Sequence, residues 1–126
     1  MTIAEVGGLH GLSADTLRYY ERIGLIPAVG RTPGGIRNYT ERDSNWIGFI
    51  KCMRGAGVQV GALIEYVTLF AQGDSTAEAR EQILVRERSR IAAQMADMQK
   101  TLDRLNVKIE RYEQLVFPVE KDLISL

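Results

Sequence analysis

The sequence predicts a mostly α-helical chain: a small head with the outline of a winged helix-turn-helix, followed by one long helix built to pair with another. Three observations carry this reading. Two short helical stretches separated by a glycine turn occupy residues 2–24, and a Gly- and Pro-rich stretch with extended flanks runs from Pro27 to Thr40. From about Thr76 to Val116 there is neither Pro nor Gly, and one seven-residue apolar register holds throughout.

In chain order, Ile3, Val6 and Leu9 recur every three residues and predict a short helix over Thr2 to Leu9. Gly7 and Gly8 oppose it, each by about 1 kcal/mol relative to alanine. After a turn at His10-Gly11, Ser13 stands as an N-cap with Asp15 and Thr16 in the first turn. That second helix runs through Leu17, Tyr20 and Ile23 to a stop at Gly24. Pro27, Gly30 and Pro33-Gly34-Gly35, then Ile36-Arg37-Asn38-Tyr39, suit a small β-hairpin wing carrying Arg31 and Arg37. Helical period returns at Thr40, an N-cap with Asp43 at the third helical position. Trp46, Ile47, Phe49, Ile50 and Met53 form an apolar side there, ended by Gly55 and Gly57. A further helix, about Val60 to Ala71, brings Leu63, Ile64, Val67 and Phe70 to the core and stops at Gly73.

In the long helix, Leu84, Ile91, Met98, Leu105 and Tyr112 share one heptad position. Met95, Leu102, Ile109 and Val116 share the other, with Arg88 the exception. A helix of about 40 residues runs roughly 60 Å and needs a partner along that seam. The chain has no second long helix, so the partner is a second copy and the expected assembly is a homodimer. Pro118 closes the helix. The expected organisation is a head with linker helices over 1–73, a dimerisation helix over 74–117 and a short tail over 118–126.

Sixteen basic and sixteen acidic side chains cancel over 126 residues, which argues against non-specific coating of nucleic acid. From Met1 to Gly57 the basic residues lead seven to five; beyond, acidic residues lead eleven to nine. No apolar stretch approaches the roughly 20 residues that span a bilayer, and no leader pattern opens the chain, so no membrane partner and a cytoplasmic location are expected. No nucleophile, base and orienting group occur at workable spacing; His10, Ser13 and Asp15 are explained by a turn and a cap, so an enzyme is not expected. One cysteine and one histidine some forty positions apart supply too few ligands for a metal, and no cofactor is expected.

The run Thr16-Leu17-Arg18-Tyr19-Tyr20-Glu21-Arg22 sets Leu17 toward the core while Thr16, Arg18 and Tyr19 point elsewhere. Arginine reads guanine edges or clamps phosphate, and Ser, Thr and Tyr hydroxyls suit backbone or base contacts. The alternative is a solvated helix with a buried tyrosine. Arg37 and Tyr39 on the wing favour double-stranded DNA. A coiled-coil adaptor whose head binds protein is the reading outside DNA recognition.

The succession Leu-Arg-Tyr-Tyr-Glu-Arg-x-Gly-Leu (17–25), Pro27, Gly-x-Arg-x-Tyr (35–39) and a long heptad helix resembles the MerR family of bacterial transcription regulators, to about Val116. The resemblance implies a winged-helix head, a linker helix pair and an antiparallel coiled-coil homodimer. It implies a pseudo-palindromic operator in an overlong promoter spacer, which the activated dimer bends and untwists for RNA polymerase. By position it places Thr16, Arg18 and Tyr19 on the recognition helix, Arg37 and Tyr39 on the wing, and Arg54 at a phosphate-contacting position; Ser13 and Tyr20 of the same segment are further candidate DNA contacts. Gly7 and Gly8 depart from the better helix formers usual there.

The segment Trp46 to Gly57, with Cys52 as its thiol, further resembles the NmlR/AdhR-like branch of that family, whose members respond to aldehydes and electrophiles through a single cysteine. Lys51 and Arg54 flank the thiol, and basic surroundings favour the reactive thiolate. An aldehyde would give a hemithioacetal and an oxidant a sulfenic acid or mixed disulfide. An adduct is expected to over-pack its helix against the next and tilt Arg54. The alternative is a repressor or architectural protein in which Cys52 is only a small core residue.

Overall fold

The computed structural model describes residues 1–112. Its helices are α1 (Ile3–His10), α2 (Ala14–Ile23), α3 (Glu41–Gly55), α4 (Val60–Ala71) and α5 (Ala77–Glu110), with a 3-10 turn at Asp74–Thr76 before α5. The mostly helical class and the long last helix are as expected.

Helix α1 forms in spite of its glycines because its start is capped reciprocally. The Thr2 hydroxyl accepts from the Glu5 amide at 3.1 Å, and the Glu5 carboxylate accepts from the Thr2 amide at 3.4 Å. Its buried positions are Val6 and Gly7, while Leu9, expected on the apolar side, is exposed. The glycine takes that place because there is no room for a side chain: a Cβ on Gly7 would stand 2.6 Å from the Leu12 carbonyl oxygen. His10 ties α1 to α3 through a 2.8 Å bond between its Nε2 and the Ser44 hydroxyl.

Helix α2 begins at Ser13, whose hydroxyl accepts from the Thr16 amide at 3.1 Å, and ends at Gly24, whose φ of 84° reverses the chain. Leu17 and Tyr20, one turn apart, are its buried residues. The hairpin that follows is shorter than a ladder of strands: Arg31 and Arg37 form an antiparallel bridge. Bonds from the Thr32 amide to the Ile36 carbonyl (2.7 Å) and from the Asn38 amide to the Gly30 carbonyl (2.8 Å) complete it. The Tyr39 amide then donates to the Met1 carbonyl at 2.8 Å, fastening the end of the wing to the start of α1.

Val6, Leu17, Leu25, Tyr39, Ile47, Ile50 and Leu63 are the largest fully buried side chains, drawn from α1 to α4 and the wing. Thr40 and Asp43 cap α3 as the sequence predicts. Between α3 and α4 an aromatic cluster of Trp46, Phe49, Tyr66 and Phe70 lines an open cleft of about 240 Å³ with Arg42 and Asn45.

The chain divides into two compact units at Arg88/Ser89, inside α5, so the first unit runs past residue 73. The first turns of α5 belong to it because they are packed: Ile83 and Glu87 are buried, Arg86 pairs with Glu65 of α4 at 3.7 Å, and Arg80 lies over the Phe70 ring. In the second unit the predicted apolar row is exposed except at Ile91, which is half-buried. Met95, Met98, Leu102, Leu105, Ile109 and Tyr112 are exposed, Met98 by 73%. In the first unit Leu84 of the same row is 39% exposed. Val116, Pro118 and the 118–126 tail lie outside the described residues. Among the described residues no helix is long and apolar enough to cross a membrane.

Candidate nucleic-acid interface

The N-terminus of α2 gathers small hydroxyl groups. Ser13 caps the helix and its hydroxyl lies 2.9 Å from that of Thr16, so two hydroxyls and the first free backbone amides stand together where helix polarity favours an anion. One turn on, Arg18 and Tyr19 are exposed, and Arg22 stacks its guanidinium on the Tyr19 ring at 5.4 Å. Arg18 pairs with Asp15 at 3.0 Å. That pair is largely in water and worth little, so it yields readily to a phosphate.

Glu21 joins α2 to both sides of the wing. Its Oε1 accepts from Arg37 Nε at 2.7 Å and its Oε2 from the Val29 amide at 3.1 Å. Burial pushes the Glu21 carboxyl upward. The Arg37 and Val29 hydrogen bonds, with the charges of Arg37 and Arg31, outweigh that and hold it below its ordinary value. An open cleft of about 470 Å³ is lined by Arg18, Arg22 and Arg37, with Glu21 and Ala28. Sequence reasoning passed over Glu21 and Arg22. The signal for Glu21 was its place four residues after Leu17: a carboxylate on the buried stripe of a helix requires a cation or amide partner.

Two residues expected at DNA belong to the core instead. Tyr20 is 8% exposed because it lies one turn from Leu17 on the same stripe. Tyr39 is 1% exposed, and its hydroxyl has no hydrogen-bond partner among the described residues. Burial raises the Tyr39 phenol above its ordinary value. Arg37 is held by Glu21 rather than standing free on the wing, while Arg31 donates to the Gly35 carbonyl at 2.8 Å within the hairpin.

On α3, Arg54 is exposed and lies 3.5 Å from the Val58 carbonyl. Lys51 donates to the His10 carbonyl at the end of α1. The two cations expected to surround the thiol are thus engaged by backbone carbonyls. Cys52 itself is a free thiol and is exposed, so it is not the small core residue of the alternative reading. The exposure also removes the expected over-packing of an adduct against the neighbouring helix. Among the described residues no three His, Cys, Asp or Glu side chains gather to hold a metal.

The family model "MerR family regulatory protein" matches residues 2–39, from the cap of α1 to the end of the wing. The chain is 60% identical over 91 residues to the HTH-type transcriptional regulator AdhR of Bacillus subtilis, a match covering 72% of this chain and 65% of that protein's own length. It is similar to the crystal structure of a MerR family transcriptional regulator from Listeria monocytogenes, with 42% identity, a TM-score of 0.87, and 99% of this chain and 95% of that chain covered. It is also similar to HiNmlR, a MerR family regulator lacking the sensor domain and solved bound to promoter DNA. That match has 30% identity, a TM-score of 0.77 and 90% coverage of each chain. With these likenesses, the chain belongs to the MerR family of transcription regulators.

Proposed function

We propose that the chain works as a homodimeric, promoter-distorting activator that answers aldehydes or other thiol-reactive electrophiles through Cys52. The observation that carries the reading is the free, exposed thiol on α3, the helix that follows the wing directly. An electrophile reaches this sulfur without any opening of the fold. With an aldehyde, the sulfur attacks the carbonyl carbon, a C–S bond forms, and the thiol proton passes to the oxygen as the hemithioacetal hydroxyl. The adduct changes the shape of the surface two residues from Arg54, which we assign to the DNA backbone. The effect is exerted on what approaches that surface, the DNA or a second copy, rather than inside the head.

Ser13, Thr16, Arg18 and Tyr19 supply the α2 contacts, with Arg22 beside them. The exposed row from Leu84 to Tyr112 supports pairing of two α5 helices, antiparallel in this reading, since apolar positions at heptad spacing are buried only by a facing helix. Two heads then meet the half-sites of a pseudo-palindromic operator. The relative solved on promoter DNA supports that step.

The test is transcription in vitro from the cognate promoter with purified RNA polymerase, with and without a reactive aldehyde. Cys52→Ser is expected to retain operator affinity and lose the response; an undiminished response in the variant rules the thiol out. Sedimentation of the full chain is expected to give a dimer, and Leu102→Asp a monomer. A wild-type monomer at micromolar concentration removes the paired-head geometry.

A further inference from the structure

Four aromatic rings, those of Trp46, Phe49, Tyr66 and Phe70, line the open cleft of about 240 Å³ between α3 and α4. Each is half-buried, so part of its apolar surface stays uncovered at the cleft. On a small head such a patch marks a contact surface. Arg42 and Arg80 each lie over the Phe70 ring at 5.4 Å, and neither is ion-paired to a carboxylate among the described residues. The cleft therefore suits an occupant that is apolar at its centre and acidic at its edges. Residues 113–126, beyond the described part of the chain, have that composition. Leu115, Val116, Phe117 and Val119 form an apolar run around Pro118, and Glu113, Glu120 and Asp122 outnumber Lys121.

Antiparallel pairing of two α5 helices brings this segment to the cleft of the other copy. When Met95 of one copy meets the partner's Met98, Ile91 faces the partner's Leu102 and Leu84 the partner's Ile109, so the apolar row covers itself about one centre. The polar exception, Arg88, then lies beside the partner's Leu105, which its aliphatic stem covers. The same register sets Glu113 level with the partner's Arg80, and Val116 level with the partner's Ala77. Because Arg80 lies on the Phe70 ring, a chain that passes Arg80 has reached the edge of the aromatic cleft.

We propose that residues 113–122 of one copy dock on the aromatic cleft of the other, with Phe117 against the rings of Trp46 and Phe70 and the acidic side chains beside Arg42 and Arg80. This rests on the antiparallel dimer reading and goes beyond it: the tail joins the partner's head, a contact that the coiled coil by itself does not make. An aromatic anchor set in a ring-lined cleft with charges at its rim is the arrangement that concentrates binding energy in few residues. The contact falls on α3, the helix that carries Cys52 and Arg54, so the position of each head depends on the tail of the other copy.

The experiment uses the full chain in a Cys52→Ser background. One copy carries Asn45→Cys at the cleft rim and a differently tagged copy carries Val119→Cys; the two are mixed, left to exchange and treated with a short bismaleimide. A cross-linked pair bearing both tags is expected, and its loss when both copies also carry Leu102→Asp. A parallel sample with Met95→Cys on one copy and Met98→Cys on the other tests the seam. If the seam pair cross-links and positions 45 and 119 do not, the tail lies elsewhere, and the proposal is overturned while the antiparallel dimer stands. If neither pair forms and the chain sediments as a monomer, the dimer reading itself falls and the proposal with it. A Leu102→Asp monomer carrying both Asn45→Cys and Val119→Cys that cross-links within itself shows the chain's own tail in the cleft, which also overturns the proposal. Trp46, the single tryptophan, gives a second reading without a cross-linker. Phe117→Ala is expected to sediment as a dimer, to shift the Trp46 emission to the red and to increase its quenching by acrylamide. Equal quenching in wild type and variant, with benzoate protecting both, marks a pocket for a small aromatic acid instead and overturns the proposal.

Discussion

The rings of Trp46 and Phe70 meet edge to face, their centroids 4.9 Å apart and their planes at 76°, and so join α3 to α4. Arg42 of α3 and Arg80 of α5 each lie over the same Phe70 ring at 5.4 Å, so one phenyl ring gathers three helices. The cluster is only half-buried, which lowers the hydrophobic share of its stability and raises the share of ring geometry.

Phe70→Ala is therefore expected to cost about 2 kcal/mol, below the range for a fully buried phenylalanine. Urea unfolding followed by the fluorescence of Trp46, the single tryptophan of the chain, measures this directly. The native emission should also shift to the red as the indole loses its neighbour.

The two adjacent glycines of α1 should respond oppositely to the same substitution. A methyl group at Gly7 would press on the Leu12 carbonyl at 2.6 Å, between backbone groups that cannot swing aside. Gly7→Ala is expected to destabilise by about 1–3 kcal/mol. Gly8 has nothing within 4 Å of the added carbon, and Gly8→Ala should stabilise by about 0.5–1 kcal/mol through helix propensity. Thermal melts of both variants, read at 222 nm by circular dichroism, check the pair.

Tyr39 carries a buried hydroxyl without a hydrogen-bond partner among the described residues. Removing a polar atom that has no partner relieves a desolvation cost, so Tyr39→Phe is expected to match or exceed wild-type stability within about 1 kcal/mol. Its affinity for DNA should be unchanged if the ring is core. A large loss of affinity with stability intact would return Tyr39 to the interface. Tyr39→Ala, by contrast, is expected to cost about 3 kcal/mol by opening a cavity.

Acid should loosen the wing through Glu21. The folded carboxyl titrates below its ordinary value of 4.5, so its contribution is complete above that value and is lost as pH falls through the lower folded value. Between about pH 7 and about pH 3 the wild type should lose more stability than Glu21→Gln, because the variant has no proton to take up at this site. Urea midpoints at the two pH values decide it. Equal losses would show that the Glu21–Arg37 bond adds nothing to folding.

Caps, stops and period were legible because each depends on residues a few positions apart. Ser13, Thr40, Gly24 and the heptad row of α5 act within one or two turns of the chain, and the helices begin and end where those residues place them. The small hydroxyls and Arg18 in the first turns of α2 were legible for the same reason. What required the tertiary structure was the choice among side chains that local pattern leaves equivalent. Met1 meets Tyr39 across 38 positions and Glu21 meets Arg37 across 16, and these long-range bonds send one tyrosine into the core and hold one arginine against α2. Burial is a property of several segments arriving at one place. A run of residues such as Tyr19-Tyr20-Glu21-Arg22 therefore specifies a helix, and only its neighbours decide which member faces the solvent.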